Sequence, residues 1–375
     1  MKVVLDTNII FGDFHLKGAK IKNLCESTKS IGGTVYLPKL VIDESINKYK
    51  EQLQLGNSKI DKGLSDLKRL IGKTVFENPI TNEYIIDEVD KYQKEFRKQI
   101  KNLGIEIIPY PTIKHQELVK RDLARKKPFQ ESGKGYRDAL IWESVKSLCE
   151  KSSELFTAPK VVFINKNYKD FCEKNFSLHH DLKEDLTNNG LQEDYIRIVE
   201  DIDIFVNDYI KPQQKILKGI LTKLNKNKWY NDIDLNSEIE DRVIKFLSHR
   251  EFDYEESPFR QEFENPSVVG VDEPSFTVTD VRQISEDEIL IEINVEVDCE
   301  FDFFVFKSDA MCMDEDELPH IWDSDWNKHY MAASKTVPVQ LKMSLIVDKA
   351  FNEILSDDME IVQPEVGYNE KFGRY

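Results

Sequence analysis

Long apolar runs are missing from this chain. No stretch approaches the roughly 20 consecutive apolar residues that a bilayer-crossing helix needs, so no membrane partner is expected. A basic N-terminal region followed by a small-residue cleavage site is missing as well, which places the expected location in the cytoplasm. Cysteine is scarce: Cys25, Cys149, Cys172, Cys299 and Cys312 are scattered, odd in number and without CxxC spacing. They indicate neither a disulfide framework nor a zinc site. Repeats and low-complexity segments do not stand out, and nothing in the composition points to disorder.

What is there suits a globular protein with a sizeable core. The 375 residues exceed one typical domain and suggest two or so. Of them 40% are hydrophobic and 32% charged, enough for a core and a richly charged surface. The formal net charge of −17 speaks against nucleic acid only until its distribution is read. Residues 271–375 hold 25 Asp and Glu against 8 Lys and Arg, so this third alone carries the whole excess. The other 270 residues carry 44 charges of each sign and sum to zero. Such a composition shift marks a domain boundary. Between Lys91 and Arg137, 13 Lys and Arg stand against 5 Asp and Glu, the only strongly basic stretch.

The apolar run Val3-Val4-Leu5 ends in Asp6-Thr7-Asn8 and predicts a buried strand whose tip presents a carboxylate, a hydroxyl and an amide. Ligands sit at that edge of an open α/β sheet; taken alone, Asp6 reads as readily as a helix cap. A helix over 19–30, a strand over 34–37 and a helix after Pro38 follow, with Glu44 in that helix's first turn. The pattern then stays helical and charged to Lys101, with breaks at Gly56 and at Asn78-Pro79. A short strand over 105–109 and a helix over 115–126 precede Pro128 to Gly135, a flexible lead into a helix whose start holds Asp138. Strands over 159–164 and 196–199 flank the polar loop that ends at Asp170. Strands alternating with helices predict an α/β fold, a parallel sheet sandwiched by helices.

Three ranges follow: 1–235 for the α/β domain, with a helical insertion at about 50–135; 236–270 for a helix and linker punctuated by prolines such as Pro258 and Pro266; and 271–375 for an acidic β-rich (α+β) accessory domain. In the last, Ile289, Ile291, Ile293, Val295 and Val297 repeat with period two, the mark of a half-buried antiparallel strand. A Trp-containing insert falls around Ile321 to Trp326.

Asp6, Glu44, Asp138 and Asp170 thus fall at element ends that one sheet edge can gather. Clustered carboxylates repel unless a cation lies between them, and hard oxygens suit Mg2+ or Mn2+. Singly, Asp138 and Asp170 are each read as caps.

These ordered motifs resemble the PIN-domain (PilT N-terminus) nucleases over residues 1 to about 210. Leu5-Asp6-Thr7-Asn8 resembles the family's first motif, and Glu44 within Pro38-Lys39-Leu40-Val41-Ile42-Asp43-Glu44 resembles the second. Arg137-Asp138-Ala139-Leu140-Ile141-Trp142 is similar to the third, an Asp opening a helix. Asn165-Lys166-Asn167-Tyr168-Lys169-Asp170-Phe171 resembles the fourth. The resemblance implies a parallel sheet between helices and divalent-metal-dependent hydrolysis of phosphodiester bonds, usually in RNA. It implies Asp6, Glu44, Asp138 and Asp170 as catalytic and metal-binding residues, Asp6 and Asp138 holding one ion and Glu44 and Asp170 completing a pair. Asn8, Asn165 and Asn167 are the supporting polar residues. Asn165 stands where the family more often has Thr or Ser, and the 93 residues between Glu44 and Asp138 imply an inserted helical lobe.

Lys126, Lys127, Lys134 and Arg137 immediately precede Asp138 and are the candidate phosphate-binding residues, with a solvated helical face as the competing reading. His179-His180 reads as a surface or capping pair, Trp142 and Phe171 as core, and Asp43 as turned away from the side that Glu44 presents. The function expected is endoribonuclease, in a toxin or phage-defence setting. A DNA or structure-specific nuclease is the alternative, and a catalytically silent RNA-binding or scaffold protein is the alternative of another class. The expected partners are an RNA (or DNA) substrate and a protein partner for the acidic C-terminal domain; a homo-oligomer is left open.

Overall fold

β1 (Lys2–Leu5) forms where the sequence offers three apolar residues in a row, and Val3, Val4 and Leu5 are all fully buried. A strand buried on both faces is the hallmark of a parallel sheet covered by helices. The computed structural model describes residues 1–74, 76–149, 161–174, 176–253, 256–259, 263–313 and 318–362. The expected strand start at Pro159 lies outside them, as does part of the linker. Contacts divide the chain into two units, Met1–Gln214 and Lys215–Tyr375.

In the first unit β1 is the middle of five parallel strands. The others are β2 (Thr34–Pro38), β3 (Glu106–Ile108), β4 (Val161–Ile164) and β5 (Ile196–Val199), in the order β3-β2-β1-β4-β5. The chain winds outward from β1 to β3, then returns to β4 on the other side of β1. That reversal makes the carboxyl ends of β1 and β4 the topological switch point of the sheet, the place where open α/β sheets bind ligands. Register makes the two ends level: Leu5 pairs with Ile164, and the Asp6 amide donates to the Ile164 carbonyl at 3.1 Å.

The connecting helices are α1 (Thr7–Ile10), α2 (Ala19–Ser30), α3 (Lys39–Ile71), α4 (Asn82–Asn102), α5 (His115–Leu123), α6 (Tyr136–Lys146) and α7 (His180–Asn188). The expected break at Gly56 does not occur. α3 runs unbroken for 33 residues and ends only at Gly72, whose φ of +78° lets its amide close on Lys68 O. A mid-helix glycine costs only about 1 kcal/mol, and packing against α4, including the Tyr49–Tyr92 ring stack at 3.9 Å, offsets it. α5 also stops three residues short of the expected end, and Arg125 just beyond it has a positive φ of 51°.

The stretch Pro128–Gly135 is not a loose lead. Phe129 is 4% exposed and packs with Leu118 and Ala139, while Gln130 and Lys134 close a backbone turn at 2.9 Å. Trp142 and Phe171 are fully buried, as their apolar neighbours predict. The Trp142 indole donates to Asp185 at 2.9 Å, which satisfies its one polar atom.

The second unit holds a short antiparallel pair, β6 (Trp229–Tyr230) and β7 (Ile233–Asp234), and is built on a larger antiparallel sheet. β10 (Glu288–Phe306) and β12 (Tyr330–Asp348) pair along 19 residues each, flanked by β8 (Glu264–Val271), β9 (Ser275–Gln283), β11 (His320–Asp323) and β13 (Ile354–Ile361). Burial alternates along β10 as its period-two sequence dictates, with Ile289 through Val305 inward. The segment holding Pro266, read above as linker, is part of β8. The β8–β10 register shifts between Asp302 and Phe304, so this irregular stretch makes no regular demand for the N–H that proline lacks. Among the described residues no helix is long and apolar enough to cross a membrane.

Candidate active site

Asp6 is the first residue past β1. It stands at the N-cap position of α1, as the cap reading has it, but makes no capping side-chain hydrogen bond. Asp138 is the third residue of α6, whose cap is Gly135, and Asp170 ends a 3-10 turn (Tyr168–Asp170) while His179 caps α7. Neither aspartate caps a helix. Glu44 lies one turn deeper in α3 than expected, because Pro38 serves as the cap and the helix starts at once with Lys39.

Burial and mutual repulsion mark the four acids as neighbours. Asp6, 8% exposed, is pushed up to about 7, chiefly because burial strips its water and further because Asp138 and Glu44 lie close; the Thr7 and Asn8 amides offset part of the rise. Asp138 rises to about 6 for the same first reason, with Asp170 and Glu44 adding to it and the Arg137 guanidinium opposing. A site that penalises carboxylate charge in this way is one that a divalent cation suits.

Each outer acid has a partner that holds it. Glu44 accepts from the Thr7 hydroxyl at 2.7 Å and from the Arg137 guanidinium at 2.5 Å. Asp170 accepts from the Gln130 amide at 2.8 Å. Asp43 faces elsewhere, receiving the Tyr110 hydroxyl at 2.7 Å and the Lys39 ammonium. Thr7 was legible beside Asp6 in the first motif; Gln130 carried no sequence signal, since its role depends on a turn bringing it across 40 residues to Asp170.

The asparagines form one network. Asn165, 1% exposed, uses its side-chain oxygen to accept from the Asn8 side chain at 2.7 Å and from the Asn167 amide at 2.6 Å. Asn8 in turn accepts from the Lys166 amide at 3.1 Å. The β1 and β4 loops are thereby locked together, a task for which the two lone pairs of an amide oxygen suffice. Asn167 contributes its backbone here and leaves its side chain exposed.

Among the candidate phosphate-binding cations, Arg137 reaches the acid cluster while staying 64% exposed. Lys134 is exposed at the turn before α6. Lys126 is paired with Glu184 at 2.8 Å, and the Lys127 backbone amide donates to Asp181 at 2.9 Å. These two tie the pre-α6 segment to α7. Among the described residues no three of the four acids close to within 4.8 Å; the one His/Asp/Glu group that tight is Glu173, His179 and His180.

Comparison with known proteins adds one finding. Residues 3–171 match the sequence model of a family described as PIN domain. No curated protein and no solved structure matches the chain.

Proposed function

Because residues 3–171 are a PIN domain, and PIN domains are typically metal-dependent nucleases, we propose that Asp6, Glu44, Asp138 and Asp170 form the centre of an endoribonuclease. The single observation that carries this reading is that burial first and neighbouring carboxylates second push up both Asp6, beside Asp138 and Glu44, and Asp138, beside Asp170 and Glu44, at the carboxyl end of the sheet. PIN domains generally use divalent metals such as Mg2+ or Mn2+, and the all-oxygen donor set fits such hard cations.

Asp6 and Asp138 would hold the metal, and Glu44 and Asp170 would complete the set of carboxylates that suits it. When bound, it supplies Lewis acidity toward the phosphate and lowers the pKa of attacking water. Thr7 keeps Glu44 facing the site, and Gln130 does the same for Asp170. Arg137 sits between Glu44 and solvent, so an arriving phosphate oxygen can take over its guanidinium, a stronger partner in bidentate form. Lys134 adds sequence-independent attraction for the backbone. The neutral charge of residues 1–270 leaves this surface free to meet a polyanion, whereas the acidic 271–375 repels one and is assigned to a protein partner.

Purified protein with Mg2+ or Mn2+ is expected to cut RNA internally, and faster than DNA of matched sequence. Asp138→Asn is expected to lower kcat by roughly 10³-fold, since it removes one of the two charges that hold the metal. Metal-dependent cutting that survives Asp138→Asn would overturn the assignment of the site, and preference for DNA would overturn the substrate. A milder effect is expected from Gln130→Ala, about 10-fold in kcat with KM little changed, because it frees Asp170 without removing it. Single-turnover kinetics separate this from a loss of binding.

A further inference from the structure

Three side chains outside the carboxylate cluster meet on the hairpin that follows Asp170. Cys172 and Leu178 form an isolated antiparallel bridge, the Glu173 amide donates to Ser177 O at 2.8 Å, and the His179 amide donates to Phe171 O at 2.9 Å. This reversal lays Glu173 beside the two histidines that begin α7. Glu173 Oε1 lies 3.5 Å from His179 Nε2 and 3.4 Å from His180 Nδ1, and one donor atom from each of the three lies within 4.8 Å of the others. A tetrahedral zinc ion with bonds of about 2.0–2.2 Å has ligand-to-ligand edges of about 3.3–3.6 Å. Both edges at Glu173 fall on that length.

We propose that Glu173, His179 and His180 form a second metal site, for Zn2+ or a similar transition-metal ion, separate from the carboxylate cluster.

The donor chemistry separates the two sites. Imidazole nitrogen suits zinc, copper and nickel, whereas Mg2+ and Mn2+ prefer the oxygens around Asp6. Asp181 supplies a second, independent argument. Its Oδ2 stands 3.3 Å from His179 Nδ1 and its Oδ1 stands 3.3 Å from His180 Nε2, so one carboxylate faces the outer nitrogen of both rings. Metal-bound histidines almost always give that outer N–H to a carboxylate or carbonyl, which fixes the ring and turns the other lone pair toward the metal. Asp181 is itself only 9% exposed and held by the Lys127 amide, so its placement is fixed by the fold. In the tautomer that caps α7, His179 Nδ1 accepts from the Asp181 amide at 3.2 Å; a proton moved to Nδ1 donates instead to the carboxylate. Glu173 and Asp181 together balance a doubly charged cation, with the Lys127 ammonium as the opposing charge near His179.

The consequence is a staple. An ion at this place ties Glu173, on the hairpin, to the first residues of α7, and so braces from behind the turn that carries Asp170. Three protein ligands leave one position for water.

The test uses the full chain, stripped with a chelator and titrated with Zn2+ while millimolar Mg2+ occupies oxygen-only sites. One Zn2+ per chain is expected to bind and raise the unfolding midpoint, and Co2+ in its place is expected to give the intense visible bands of a four-coordinate ion. Glu173→Gln and His180→Ala are each expected to weaken Zn2+ binding at least tenfold, while Asp6→Asn leaves it unchanged. His180 has a 77% exposed side chain, so its removal leaves the fold intact, which circular dichroism verifies. Unchanged Zn2+ binding in both variants, loss of it in Asp6→Asn, or no binding at all would each overturn the proposal. None of these results bears on cleavage at Asp6.

Discussion

Asp6→Asn is expected to abolish metal-dependent cleavage, by roughly 10³-fold or more in kcat, and at the same time to stabilise the metal-free protein. The two effects share one cause. Asp6 is pushed up to about 7 because its charge is buried among other acids, so an ionised Asp6 works against the fold. At 1.36 kcal/mol per pKa unit the penalty has an upper bound of about 4 kcal/mol, and a gain of about 1–3 kcal/mol is expected for the neutral amide. The pH dependence follows the same sign. Between about pH 4 and pH 7 the folded chain retains a proton that the unfolded chain has released, so stability of the metal-free protein falls as pH rises through that window and levels off above it. Asp138, pushed up to about 6, adds a contribution of the same sign over the lower part of the window. Calorimetry in chelator at several pH values is the check: the wild-type midpoint should drop toward neutral pH, and Asp6→Asn should lessen the drop. Saturating Mg2+ should reverse the order, since only the wild type gains from binding. If Asp6→Asn unfolds more easily than wild type in chelator at neutral pH, the electrostatic reading of the site is wrong.

Gly135→Ala is the largest steric effect expected in the first unit. At φ +116° a Cβ on residue 135 would sit 2.4 Å from Pro128 O and 2.7 Å from Phe129 Cα, both backbone atoms that cannot rotate away. The cost is about 3 kcal/mol or more, combining overpacking with a conformation that only glycine adopts freely. Because Gly135 is the cap of α6, the shift passes directly to Arg137 and Asp138, and cleavage is expected to fall with stability. Gly133→Ala is the control: its φ is also positive, at +76°, but its Cβ would meet open space, so a loss of only about 1 kcal/mol is expected. Urea unfolding of the two variants compares them, and equal midpoints would show that the close approach to Pro128 is not what requires glycine at 135.

Much of the fold was legible because periodicity reports burial. Val3 to Leu5 and Val161 to Ile164 are continuous apolar runs and became doubly covered central strands, while Ile289 to Val297 alternates and became one face of an antiparallel sheet. Local breakers were less reliable. Gly56 interrupts no helix and Pro266 interrupts no strand, since packing along α3 and an irregular register in β8 override single-residue preferences.

The sequence by itself determined which residues could serve as acids and where along the chain they lie: Asp6 after a strand, Glu44 and Asp138 on helices, Asp170 at the end of a polar loop. Hydrophobic patterning is a local property, and it places element ends without distance information. Only the tertiary structure decided that these ends meet, that neither Asp138 nor Asp170 is a helix cap, and that burial raises Asp6 and Asp138. It alone decided that Thr7, Arg137 and Gln130 hold the outer acids and that Glu173 returns to His179 and His180. Desolvation, like-charge repulsion and ligand geometry all depend on distances through space, which sheet order and register set and residue order does not.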